Sequence, residues 1–470
     1  MATEAPPRAA GGGPTPAASG LDRYFHITER GSTVRTEIVA GLATFLTMSY
    51  ILFVNPSIIA GVKDHTGVAL DFAQVLTVTA LVAGVMTLLM GLYANYPFAL
   101  AAGLGLNALV AFTLVLAAHL TWPESMGVIV TEGLIISFLV LTGFREAVLN
   151  AIPMDLKRSI GIGIGLFIAF IGFVNAGVAK QGQGVIATIA PNFRSWPLLI
   201  FAIGFMVTAA LVAKRMRGAL LLGIIFTTAV ATIVNEAKHL KVFTDGSAAI
   251  PHHWSGPNFH LVGHFSFHYW SVLGTGAAIA IVLSVMLSDF FDTMGTVIGI
   301  SGEAGLLDKE GRLPGIQKVL IVDSLAAAAG GAASASSNTT YIESAAGVSE
   351  GGRTGLVSVV VGVLFLASLF ISPLAGMVPA VATAPVLIIV GYFMMQLVRE
   401  INWSDPGIGI PALATMVGMP FTFSITNGVG FGFIAYTVIA ILRGRAREVH
   451  WLMYVVSAVF GWYFFHGVVG

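Results

Sequence analysis

Runs of about twenty apolar residues recur from residue 37 almost to the end of the chain, and few of them contain a charge. A helix crossing the hydrocarbon core of a bilayer needs about 20 such residues and satisfies every backbone polar group within itself. Only 10% of the 470 residues are charged, whereas a soluble domain carries about 25%. So few charges cannot cover a water-facing surface, so the solvent is mainly lipid and a soluble fold is excluded.

Candidate spans lie at 37–60, 72–91, 103–119, 126–143, 158–177, 197–213, 218–235, 271–289, 316–333, 342–350, 356–372, 379–398, 408–423 and 426–442. That makes fourteen, the tenth too short to cross alone. A further run at 451–468 either spans or lies along the interface, anchored by Trp451, Tyr454, Trp462 and Tyr463. The basic residues test this count. With the N-terminus inside, 18 of the 23 Lys and Arg fall on the cytoplasmic side, and only Lys63, Lys180, Arg194, Lys238 and Lys241 on the other. That is the positive-inside pattern of a multi-pass protein of the cytoplasmic membrane. Residues 1–20 are rich in Pro, Ala and Gly without an apolar run, and read as a disordered tail rather than a cleavable signal.

Two classes of chemistry drop out early. The chain has no cysteine, which removes disulfides, thiolate nucleophiles and Cys-bound metals. Its 23 basic and 23 acidic residues balance, so nothing points to nucleic acid as a partner.

The spans repeat. Seven end near 235, a polar insert covers 236–270, and seven more follow. An odd number per half gives the halves opposite orientations, an inverted repeat. The third segment contains YPFALAAGLGLNA (96–108) and the tenth SSNTTYIESAAGV (336–348). Each has a turn-like or extended stretch, then small residues, then a polar residue. Non-helical backbone survives at membrane depth only where protein or a cavity surrounds it, so paired breaks point to a substrate site at mid-membrane. The alternative is two Gly-rich packing helices.

Asp289 and Asp292 close the eighth segment and share one helix face. A carboxylate at the bilayer centre costs about 2.5–3.5 kcal/mol and is rarely incidental. The bland reading is a helix end, with the carboxyls solvated or bonded to backbone amides. Glu343 follows the break in the tenth segment, where it also suits a helix N-terminus. Asn107 holds the matching place in the first half, beside Gly103 and Gly105, which permit close approach; an Asn bridging two helices is the alternative. Thr339 and Thr340 offer backbone or hydroxyl contacts. Glu132, inside the fourth span, either faces the cavity or pairs between helices. Glu350 and Arg353 read as a surface pair. GIGIG (161–165) lies inside a span and reads as helix packing rather than a nucleotide loop. His252, His253, His260, His264 and His268 fit no compact zinc spacing.

TEIVAGLATFLTMSYILFVNP (36–56), AAGLGLNA (101–108), LSDFFDTMGTVIG (287–299), TTYIESAAGVSEGGRTGL (339–356) and MPFTFSITNGVGFGFIAY (419–436) resemble the AzgA-like hypoxanthine/guanine/adenine permeases of the nucleobase:cation symporter 2 superfamily. The resemblance covers about 21–442. It implies an all-α polytopic fold like that of the uracil permease, a seven-plus-seven inverted repeat with core and gate domains and short strands in segments three and ten. The expected boundaries are a disordered cytoplasmic tail 1–35, core 36–143, gate 144–235, extracytoplasmic insert 236–270, core 271–373, gate 374–442 and a basic and apolar segment 443–470. It also implies proton symport, with H+ as coupling ion and no other cofactor, and a homodimer. Asp289 and Glu343 would contact a purine base, Asn107, Gly105 and Thr340 would line the site, and Asp292 would support it. Ser344 follows Glu343, so the Gln/Glu-Asn signature of the xanthine and uric acid branch is missing, which favours adenine, guanine or hypoxanthine. Purines present ring N–H groups and lone pairs that carboxyls can match. The rivals are an anion transporter or a xanthine or uracil transporter of the same fold. An enzyme is not expected, since no metal cluster or nucleophile–base pair is visible in the spans.

Overall fold

Lipid offers no hydrogen-bond partner, so a chain of this composition has to close its backbone bonds in helices. The computed structural model describes residues 20–142, 152–180, 187–189, 194–237, 243, 247–249, 256–308, 313–371 and 377–465. In chain order these form α1 (Gly20–Phe25), α2 (Val34–Met48), α3 (Ile51–Ile59), α4 (Phe72–Leu89), β1 (Leu100–Ala102) and α5 (Leu104–Ala108), which continues with wider turns to Ala117. Next come α6 (Trp122–Leu141), α7 (Met154–Asn175), a small pair β2 (Ala179–Lys180) and β3 (Thr188–Ile189), α8 (Trp196–Ala213) and α9 (Ala219–Ala237). The second half holds α10 (Tyr269–Leu273), α11 (Thr275–Glu303), α12 (Ile316–Ala332), β4 (Asn338–Thr340), α13 (Ser344–Ser349), α14 (Gly355–Ala367) and α15 (Ala380–Met395). It ends with α16 (Pro406–Thr422), α17 (Ile425–Leu442) and α18 (Trp451–Phe465). Among the described residues, nine helices are long and apolar enough to cross a membrane.

Each of the fourteen expected segments has its helix, and the tenth, α13, is only six residues long. The third and tenth segments open with the short strands. β1 and β4 pair antiparallel, Leu100 opposite Thr340, Ala101 opposite Thr339 and Ala102 opposite Asn338. Flanking bonds extend the pairing, from Gly103 N to Ser337 O at 2.9 Å and from Tyr341 N to Ala99 O at 2.9 Å. The two halves thus meet at the one place where both interrupt their helices.

Three expectations change. Asp289 and Asp292 do not close the eighth segment; α11 runs 29 residues, and both sit near its middle. Acids and glycines dilute the hydropathy of that stretch, but neither removes a backbone donor, so the helix continues. Residues 20–35 are not a disordered tail. They form α1, a turn and the start of α2, with Phe25 and Ile27 buried beside Leu356; residues 1–19 lie outside the described residues. Glu350 and Arg353 do not pair with each other. Glu350 pairs with Arg217, and the Arg353 guanidinium donates to the Val348 and Gly352 carbonyls, 2.7 Å each.

The run after 451 is the 15-residue helix α18, packed against α17 and α11, with Trp462 over Gly276 and Ser457 bonded to Thr437 at 2.7 Å. The GIGIG glycines are packing surfaces, Gly163 against Met416 and Met419, Gly165 against Gly391 and Met394.

One contact decides how the middle of the protein is built. α6 and α12 touch backbone to backbone: a Cβ on Gly133 would stand 2.3 Å from the Ala328 nitrogen. That approach sets the depth of the neighbouring Glu132. Gly133→Ala therefore has to push the helices apart, at about 1–3 kcal/mol. Gly161→Ala, where the nearest atom is 3.7 Å away, has room for its methyl. Thermal unfolding of the purified protein is expected to fall by several degrees in the first variant and stay put or rise in the second.

Candidate functional site

The strand pair is fixed to the surrounding helices by a carboxylate. Asp323, in the middle of α12, is 1% exposed. Its Oδ1 accepts from the Thr340 amide at 2.9 Å and the Thr340 hydroxyl at 2.8 Å, and its Oδ2 from the Thr293 hydroxyl at 2.7 Å. Thr293 also meets the Thr339 hydroxyl at 2.7 Å. One acid thereby joins α11, α12 and β4. Asp323 is an acid inside a span, so the rule that singles out Asp289 in the sequence applies to it equally.

Glu343 stands at the N-cap of α13 but does not cap it. The hydroxyl of Tyr50, buried in the bend between α2 and α3, donates to its Oε1 at 2.6 Å. Nothing in the sequence around Tyr50 marked it. Tyr341 donates its hydroxyl to the Ala102 carbonyl at 2.5 Å, and the Ser344 hydroxyl receives the Ala99 amide at 3.0 Å, so both strands frame the Glu343 backbone. Asp292 lies within electrostatic reach of Glu343 and Asp323 and is exposed. From it an open face runs down α11 through Gly295, Gly299 and Gly302, all exposed, to the end of the helix.

Asp289 is one turn away and 1% exposed. Its neighbour is Glu132, fully buried, so the acid unplaced by sequence reasoning reaches the same centre from α6. Asn107 is fully buried on α5, and neither end of its amide makes a hydrogen bond to another described residue. Gly105 packs under Ile164 of α7, where a Cβ would meet Cγ2 at 2.6 Å. The Thr340 hydroxyl already donates to Asp323, leaving only its lone pairs for a ligand. One turn beyond Asn107, Phe112 meets Phe167 and Phe423, and Phe423 meets Phe170, edge to face with centroids 5.2–6.0 Å apart. Carboxyl acceptors and aromatic rings are the kinds of group that suit a flat, hydrogen-bonding, apolar body.

Among the described residues no cluster of three or more His, Asp or Glu could hold a metal. His260 and His264 stack edge to face at 4.6 Å, and His252 and His253 lie outside the described residues.

The acids differ in what their removal leaves behind. Asp323→Ala strands three donors, each costing about 1–3 kcal/mol. Asp289→Ala strands no amide or hydroxyl among the described residues. The unfolding temperature is expected to drop by several degrees in Asp323→Ala and to change little, or rise, in Asp289→Ala.

The chain matches the Permease family over residues 35–431. It is 39% identical to the adenine permease AdeP of Escherichia coli, over 94% of this chain and 95% of that protein. It is 38% identical to the guanine/hypoxanthine permease PbuG of Bacillus subtilis, over 94% of this chain and 99% of the relative. Among solved structures it resembles the transmembrane domain of a cyanobacterium bicarbonate transporter, BicA, with a TM-score of 0.57 at 13% identity, covering 86% of this chain and 97% of that one. It also resembles the murine Solute Carrier 26 family member A9 anion transporter in the inward-facing state, with a TM-score of 0.62 at 11% identity, covering 94% and 77%. At such low identity these structures speak to the fold alone, and that fold is the seven-plus-seven arrangement. The sequence relatives span nearly the whole chain and are named as permeases. The chain therefore belongs to the permease family, within the nucleobase:cation symporter 2 superfamily.

Proposed function

We propose that this protein carries purine bases, adenine, guanine or hypoxanthine, into the cell across the cytoplasmic membrane by proton symport. The observation that carries the reading is the pairing of β1 with β4 at the breaks of the third and tenth segments, which Asn107 and Glu343 closely follow in sequence, in a chain whose relatives are named adenine and guanine/hypoxanthine permeases. A carboxylate accepts ring N–H groups of a neutral base, and Asn107 has both a free donor and a free acceptor to offer.

In this reading Asp289 and Glu343 contact the base, Asn107 lines the site close to Gly105 and Thr340, and Asp292 supports it from the exposed side. The open face of α11 leads out to the cytoplasm and the N-terminus lies inside, an orientation supported by the distribution of the basic residues. Segments one to four and eight to eleven form a core that moves against a gate of the remaining six. The protein works as a homodimer. Anion transport, the activity named for the fold neighbours, fits poorly, because unneutralised acids in the site repel anions.

A hydrogen bond to a charged acceptor contributes about 1.5–3 kcal/mol, or roughly tenfold or more in affinity. Asp289→Ala and Glu343→Ala are each expected to cut uptake of radiolabelled hypoxanthine or adenine at least tenfold while reaching the membrane in normal amount. Unlabelled purines, but neither uracil nor bicarbonate, are expected to compete. Normal uptake in both variants, or competition by bicarbonate, would remove the assignment.

A further inference from the structure

Glu132 is 0% exposed and Asp289 1% exposed, and their carboxyls lie within hydrogen-bonding reach of each other. None of the four oxygens receives a bond from an amide or a basic group among the described residues. The buried hydroxyl of Ser337 stands beside Glu132 and is the neutral group placed to donate to it. The charged groups that face the pair are Asp323 from α12 and Asp292 one turn along α11, both acids. Two ionised carboxyls in contact, buried, with only further acids around them, repel without compensation. A hydrogen bond between carboxyls, by contrast, needs a proton on one of them. The close approach of Gly133 to Ala328 holds Glu132 at this depth, so the pair cannot relax by withdrawing α6.

We infer that Glu132 and Asp289 hold one proton between them, and that Glu132 is the group that keeps it while Asp289 binds substrate. When a base presents its N–H, the O–H bond on Asp289 breaks and one forms on Glu132. Asp289 is then a free acceptor, the pair carries a single negative charge while the base is bound, and the proton leaves Glu132 for water on the inner side once the base has gone. Proton and base thus occupy the site together without competing for one oxygen. Glu132 acts through Asp289 and is a positioning residue rather than one that touches the base. This assignment rests on the proposed proton symport and on Asp289 as a purine contact.

The experiment uses the full-length protein in proteoliposomes, with labelled hypoxanthine or adenine and an imposed pH gradient. One proton per base across one pH unit sustains about tenfold accumulation. Wild type is expected to approach that value, and E132Q to remain within about twofold of equilibration, its uptake rate flat with external pH. E132Q accumulating as wild type does would overturn the role of Glu132 and leave symport standing. A wild type indifferent to the pH gradient, or driven by sodium at constant pH, would overturn the symport reading and this inference with it. Infrared spectra of purified wild type give a measure that needs no variant. A protonated-carboxyl band at neutral pH that shifts when hypoxanthine or adenine binds is expected, and its absence would refute the shared proton.

Discussion

An amide or carbonyl left unpaired in hydrocarbon costs several kcal/mol, and this protein interrupts two of its membrane segments. Each interruption is tolerable only because the other completes it. β1 and β4 exchange their backbone bonds across the centre of the molecule, and Asp323 takes the Thr340 amide of that strand. Once the strands are paired, α5 and α13 each begin directly beyond the paired backbone. The proposed site follows from this repair of the backbone, before any side chain is chosen for binding.

The acids around that space are graded by how well they are served. Asp323 accepts three hydrogen bonds at 2.7–2.9 Å and can remain charged in the interior as part of the framework. Glu343 accepts one, from Tyr50. Asp289 and Glu132 accept none from an amide or a basic group among the described residues. Buried charge is stable in proportion to the donors it collects, so the poorly served carboxyls are the ones free to exchange partners. A well-served acid and poorly served ones share one neighbourhood without being interchangeable.

Much of this was legible in the residues. The fourteen segments follow from apolar runs and charge asymmetry, and the short strands from the extended stretch before the small residues in 96–108 and 336–348. The length of α11 was not, because hydropathy averaging treats an acid as an end whereas the backbone has no reason to stop there. The place of Glu132 was not legible either. It depends on how far α6 approaches α12, and that is set by a missing side chain at Gly133 rather than by a pattern along one helix. Asp323 was legible and went unread. Tyr50 reaches Glu343 from 293 positions away, a relation that no local spacing encodes.

The ties between the start of the chain and its later part go beyond the strands. Glu37, fully buried in α2, receives the Arg353 amide at 2.9 Å, the Thr354 amide at 3.1 Å and the Thr354 hydroxyl at 2.7 Å. Neither this acid nor β1 has its partners until the tenth segment has been made, 238 residues after Ala101 in the pairing of Ala101 with Thr339. At about 5–20 residues per second, the ribosome needs roughly 12–50 s to supply them. For that interval the first repeat is an unfinished object, with a strand edge that lipid cannot satisfy. Biogenesis therefore has to shelter the first three segments within protein, at the insertion machinery, until their counterparts arrive.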